Sequence, residues 1–363
     1  MASLQELSSR GQSAWLDYLD RRLLADDGLG RLVEVGIRGV TTNPTIFHGA
    51  IATSEAYDDA IRDLLQADPN IEPAKLYEWL TVQDVQAAAD QLGPVYEASE
   101  GGDGYVSLEV SPHLADDTVA TIQAARHLWK TVHRPNLMIK VPATPAGIPA
   151  IEVLIAENIN VNATLLFSVS RYEAVVRAYL RGAQRCERPA DVASVASVFV
   201  SRVDTAIDKQ LDALKQPAAD ALRGHGAVAG AKLVYQRFLD MFSQSIAGGA
   251  QVQRPLWAST GTKDKRYPDV KYVETLIGRN TVTTLPRDTL DAFLHHGEVR
   301  DSLTEDVERA QHDLLAVQKL GVDLVAVTDT LEREGVAKFA QSYDETLLAL
   351  HDKCRTVTRR YAG

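Results

Sequence analysis

The chain has 363 residues, 45% of them hydrophobic and 24% charged, and its 38 basic and 49 acidic side chains leave a net charge of −11. These proportions are the average of folded soluble proteins and exclude a disordered, collagen-like or disulfide-stapled chain. An acidic surface repels nucleic acid and anionic lipid, so the cations that hold any anionic ligand must be gathered locally. Cys186 and Cys354 are too few for a disulfide framework and too far apart for a CxxC ligand pair. No apolar run approaches the roughly 18 residues of a membrane helix, and Glu6 falls where a signal peptide would be hydrophobic. The sequence therefore predicts an uncleaved cytoplasmic protein with no nucleic-acid or membrane partner.

In chain order, a short N-terminal helical segment precedes a first predicted strand at 14–19 and a second at 37–42, in the run Gly36-Ile-Arg-Gly-Val-Thr-Thr42. Further strands are predicted at 105–110, 137–141, 159–163, 194–200, 255–259 and 281–285. Helical period separates them. Over 115–132 the apolar residues Val119, Ile122, Ala125, Trp129 and Val132 recur at three and four positions, and 171–181 is a second amphipathic stretch. The segment 215–249 exceeds a minimal crossover, and Gly224, Gly226 and Gly230 mark it as a helical insertion after strand six. Beyond strand eight, helices at 303–320 and 331–351 are expected to cover the barrel's outside or its mouth. About eight βα units without a linker predict one (β/α)8 barrel domain spanning the whole chain.

In such a barrel, reactive groups come from the carboxyl ends of the strands. Read that way, the strand ends supply Asp17, Asn43, Glu109, Lys140, Asn162 with Thr164, Ser197 and Ser259. Histidines and acids do not fall at ligand spacing, and the neighbours His295 and His296 point apart on a helix, so no metal site is predicted. Lys140 is the sharpest signal, because Asn136-Leu-Met-Ile-Lys-Val-Pro142 is otherwise a buried parallel strand. Desolvating a lysine favours the free amine, which attacks carbonyls and gives a protonated imine, an electron sink for carbon–carbon cleavage. A lysine that reaches solvent or pairs with Glu109 fits the same pattern. Asp17 and Glu109 supply two carboxylates for proton transfer, or two structural partners. Asn43 before Pro44 reads equally as a turn residue, and Asn162, Thr164 and Ser197 as groups that satisfy strand-end backbone. Arg202 either reaches across the mouth to a phosphate or is solvated; Ser259 and Lys263 lie where barrels often bind phosphate, without the spacing of a Walker loop. Phe199 shares a face with Ser197 and is either a wall of the site or core packing.

Taken together, six runs in one order resemble the transaldolases in their longer bacterial form. They are Trp15-Leu-Asp17, Thr41-Thr-Asn-Pro-Thr-Ile-Phe47, Val106-Ser-Leu-Glu-Val110, Met138-Ile-Lys-Val-Pro-Ala-Thr144, Asn160-Val-Asn-Ala-Thr-Leu-Leu-Phe-Ser168 and Ser197-Val-Phe-Val-Ser-Arg202. The resemblance implies a pentose-phosphate-pathway transferase that moves a dihydroxyacetone unit from sedoheptulose 7-phosphate to glyceraldehyde 3-phosphate, forming erythrose 4-phosphate and fructose 6-phosphate. It implies Lys140 as the imine-forming lysine, Asp17 as the acid/base at the cleaved bond, and Glu109 with Thr164 around the catalytic water. It further implies Asn43, Asn162 and Ser197 on the substrate hydroxyls and Arg202 on phosphate, with no cofactor. The chain departs from relatives at Val198 and Ser201, where they carry Pro and Gly, and after strand seven, where many carry a second phosphate arginine and this chain reads Ser259-Thr-Gly-Thr-Lys263. An aldolase that releases the three-carbon unit, and a non-catalytic sugar-phosphate-binding barrel, are the alternatives. Monomer and homodimer are both compatible with the sequence.

Overall fold

The computed structural model describes residues 3–243 and 249–361. Eight parallel strands close into a barrel in the order of the chain: β1 Gln12–Leu16, β2 Ile37–Thr41, β3 Tyr105–Glu109, β4 Leu137–Pro142, β5 Val161–Leu166, β6 Ser194–Phe199, β7 Arg254–Ala258 and β8 Thr281–Leu285. Nearly every strand residue is buried, because helices cover the outside while side chains fill the inside. The predicted (β/α)8 fold is the observed one. Among the described residues, no helix is long and apolar enough to cross a membrane.

Two strand boundaries moved for identifiable reasons. β1 ends at Leu16, not residue 19, because Asp20 leaves the sheet to cap the helix Arg21–Leu24, its carboxylate accepting from the Leu23 amide at 2.7 Å. β5 starts at Val161, not residue 159: the Ile159 amide still bonds to Leu154 O, and the Asn160 side chain donates to Pro135 O and Leu137 O. The strand then runs on to Leu166 through an irregularity, with Leu165 in the left-handed region at φ 62°. Such a residue costs about 1 kcal/mol or more, and bulges of this kind re-aim neighbouring side chains.

The helices expected at 115–132 and 171–181 are Thr118–Val132 and Val169–Arg185. Within the stretch read as an insertion, the helix Gly226–Met241 packs on β7 and on Val169–Arg185, which places it in the barrel's outer ring; residues 244–248 of that stretch lie outside the described residues. The C-terminal helices are Val307–Lys319 and Leu324–Tyr361. The second starts seven residues earlier than its apolar period suggests, since Asp323 accepts from the Val325 and Ala326 amides, each at 3.0 Å. It crosses the mouth of the barrel, tied down by Arg171–Glu332 at 2.7 Å and by Thr45 to Ser342 at 2.9 Å.

At the end of β4, the helix Gly147–Ala156 begins directly above the strand. A Cβ on Gly147 would overlap the Pro142 carbonyl oxygen, and the Gly147 amide donates to Thr144 Oγ1 at 2.9 Å. Backbone, not a flexible side chain, blocks that position. Gly147→Ala should therefore lower stability by about 2 kcal/mol or more in urea unfolding; an unchanged midpoint and slope would show that β4 and its helix can separate freely.

Candidate active site

Strand register builds the centre of the site. Glu109 of β3 pairs with Lys140 of β4, Lys140 with Asn162 of β5, and Pro142 with Thr164, so neighbouring strands raise these side chains to adjoining heights inside the barrel. The Lys140 side chain is 5% exposed and that of Glu109 3%, with Nζ 3.4 Å from Glu109 Oε2. The ammonium also donates to the Thr42 carbonyl at 3.0 Å, where the chain leaves β2. Neither oxygen of Glu109 accepts a hydrogen bond, and buried Thr164 Oγ1 has no partner either. Unsatisfied buried groups are costly, so these three atoms mark a place that a water or a ligand oxygen can complete.

Above this centre opens a cavity of about 260 Å³. Its wall includes Asp17, Asn43, Lys140, Thr164, Ser197, Phe199, Arg202, Ser259 and Lys263. Nine of the eleven residues singled out in the sequence thus face one space. Glu109 and Asn162 lie just behind the wall. Asn162 is held by neighbours: its amide nitrogen donates to Ser107 Oγ at 3.0 Å, and its oxygen accepts from Ser197 Oγ at 2.7 Å. Asn43 caps the helix Pro44–Thr53, Oδ1 accepting from the Ile46 amide at 3.0 Å, as a turn residue would, and it also lines the cavity.

Burial pushes the Asp17 carboxyl above its usual range, an effect that Lys140, then Lys263 and Arg202, partly offset. Burial likewise raises Glu109, with Lys140 opposing. Burial lowers Arg202, opposed by Asp17 and Glu334. Its guanidinium carbon sits 5.3 Å from the Phe199 ring centre and 5.9 Å from that of Phe339. Phe199 also meets Phe167 at 5.2 Å between ring centres. Ser259, in the left-handed region at φ 59°, shares a 2.9 Å hydroxyl contact with Ser201.

The sequence reading missed Lys338 and Phe339, which reach the cavity from the helix Leu324–Tyr361, and Thr41, Thr45 and Thr284, which also line it. One clue was present: Gly335 sits inside that helix, and a Cβ there would come within 2.9 Å of Leu165 Cδ2. Among the described residues, no group of three His, Cys, Asp or Glu side chains is placed to hold a metal ion.

Residues 14–350 match the family model described as transaldolase/fructose-6-phosphate aldolase. The chain belongs to this family. It is 46% identical to transaldolase 1 of Streptomyces coelicolor, over 96% of this chain and 94% of that one. It is also 46% identical to the transaldolase of Thermobifida fusca, over 95% and 96% of the two chains, and 44% identical to that of Mycobacterium leprae, over 98% of each. In this member of the transaldolase/fructose-6-phosphate aldolase family, a lysine lies buried against a carboxylate at the base of a cation-lined cavity.

Two outcomes follow for stability. Because Thr164 Oγ1 is buried without a partner, Thr164→Val should leave stability unchanged or raise it, as measured by urea unfolding, even where activity falls; a loss above about 1 kcal/mol would show a hidden partner. Folding raises the pKa of Asp17 above 3.8, so the folded chain holds that proton more tightly than the unfolded one, and ionisation costs stability as pH rises. Asp17→Asn should accordingly gain stability relative to the parent as pH rises above about 4, where the unfolded carboxyl begins to ionise. A difference that stays constant or reverses would contradict the burial of this charge.

Proposed function

We propose that this chain, as a single barrel domain, is a transaldolase that transfers dihydroxyacetone from sedoheptulose 7-phosphate to D-glyceraldehyde 3-phosphate, giving D-erythrose 4-phosphate and β-D-fructose 6-phosphate. The observation that carries this reading is the buried Lys140–Glu109 pair at 3.4 Å, set beneath a cavity that also holds Asp17 and Arg202. An ammonium cannot attack a carbonyl. Glu109, raised by burial, takes the proton that Lys140 must lose, and the amine adds to C2 of the ketose.

Loss of water from the carbinolamine gives the imine, and the unpartnered oxygens of Glu109 and Thr164 are placed to hold that water as it leaves and later returns. Asp17 takes the proton of the C4 hydroxyl as the C3–C4 bond breaks, and the electron pair of that bond moves into the imine to form an enamine. Addition to the acceptor aldehyde reverses these steps, Asp17 returning the proton. Asn43 and Ser197 hold the dihydroxyacetone hydroxyls, Asn162 orienting Ser197 through its 2.7 Å hydrogen bond. Arg202, with Ser259 and Lys263, binds the phosphate.

Transfer requires that the enamine outlive departure of the first aldehyde. Phe199 is part of the cavity wall and, backed by Phe167, offers no proton there. Release of free dihydroxyacetone is then slow without an acceptor.

Coupled assay of ketose consumption, with and without acceptor, tests the assignment: turnover should depend on acceptor. Equal turnover without it would make the protein an aldolase that releases its fragment. In rapid-quench experiments Asp17→Asn should slow cleavage by about 100-fold or more, while Glu109→Gln mainly slows imine formation and hydrolysis. Cleavage at the parental single-turnover rate in Asp17→Asn would remove Asp17 from that role. Phe199→Tyr, which adds a hydroxyl with little change in volume, should raise the ratio of release to transfer; loss of stability with an unchanged ratio would reduce Phe199 to packing.

A further inference from the structure

Lys338 stands on the helix Leu324–Tyr361, far in sequence from every strand motif, yet it lines the same cavity as Arg202 and Lys263. Among the described residues, Asp17 is the one carboxylate lining this cavity. Besides Lys140 at the base, three cations from three further elements meet there: the helix Ser201–Leu214, the loop after β7, and the C-terminal helix. Like charges repel, and although Lys338 is an exposed residue, partial desolvation and then the charges of Arg202 and Lys263 lower its pKa. Concentrating cations at one opening of a chain with net charge −11 makes physical sense where a multiply charged anion joins them.

The base of the Lys338 side chain is firmly held. Phe339 is 2% exposed, its ring 5.7 Å from Lys140 Nζ, and Gly335 brings the helix against Leu165. Arg171–Glu332 and Thr45–Ser342 anchor the flanking turns. A long stem on a fixed base can carry a point charge onto a phosphate without setting its orientation, which the planar Arg202 supplies.

We propose that Lys338 is a third phosphate-binding cation, carried to the phosphate end of the cavity by the C-terminal helix. This rests on the transaldolase reading. The test measures KM and kcat for fructose 6-phosphate with acceptor, and competitive inhibition by inorganic phosphate, in the parent, Lys338→Ala and Lys338→Arg. Lys338→Ala should raise both KM and the inhibition constant of phosphate by about fivefold to tenfold with kcat nearly retained, and Lys338→Arg should restore most of the loss. Unchanged KM and phosphate inhibition in Lys338→Ala, or a fall in kcat at unchanged KM, would overturn the inference while leaving the transaldolase reading intact. A parent enzyme that transfers nothing would overturn that reading and this inference with it.

Discussion

Burying an ammonium beside a carboxylate is the constraint around which this protein is arranged. Each ion costs several kcal/mol to remove from water, and their mutual attraction repays that only in good geometry. Here the geometry comes from strand pairing, since Glu109 and Lys140 are register partners on adjacent parallel strands. Even so, the pair is held at 3.4 Å with both glutamate oxygens free of hydrogen bonds. A structure optimised for stability alone would satisfy those atoms or replace the pair with apolar side chains. Left open, those oxygens leave room beside Lys140 for a water or a ligand oxygen.

The surrounding features follow from that arrangement. The walls of the cavity above the pair combine apolar and cationic surface. Phe199 and Phe339 supply apolar surface, while Arg202 lies against both rings and puts its charge at the cavity rather than in solvent. The C-terminal helix has to lie close over the mouth, which explains a glycine within its length and the ion pair and hydroxyl contact that fasten it. The left-handed residues Leu165 and Ser259 fall directly after Thr164 and at the end of β7, where the chain turns out of the barrel beside the site.

Much of this was legible in the sequence because buried parallel strands are apolar runs, against which a charged residue stands out. Lys140 and Glu109 were visible for that reason, and Asp17 and Asn43 as polar residues where strands end. Boundaries were less legible where a side chain replaces backbone pairing, as Asp20 does after β1 and Asn160 does before β5. Ser107, which supports Asn162 and was not singled out in the sequence, shares the inward parity of Glu109 two residues on, so alternation would have pointed to it. Lys338 and Phe339 were hidden for a different reason: a helix of period 3.6 specifies which face is apolar, not which part of the barrel it crosses. Tertiary contacts determine that, among them Gly335 against Leu165, Arg171–Glu332 and Thr45–Ser342.

The central claim is that the buried amine of Lys140 is the nucleophile, and the cavity contains two other lysines, Lys263 and Lys338, that can compete for that role. Borohydride reduction in the presence of fructose 6-phosphate, followed by peptide mapping, separates them. A three-carbon adduct on Lys140 alone is the expected result. An adduct on Lys263 or Lys338, or undiminished trapping in Lys140→Ala, would contradict the account.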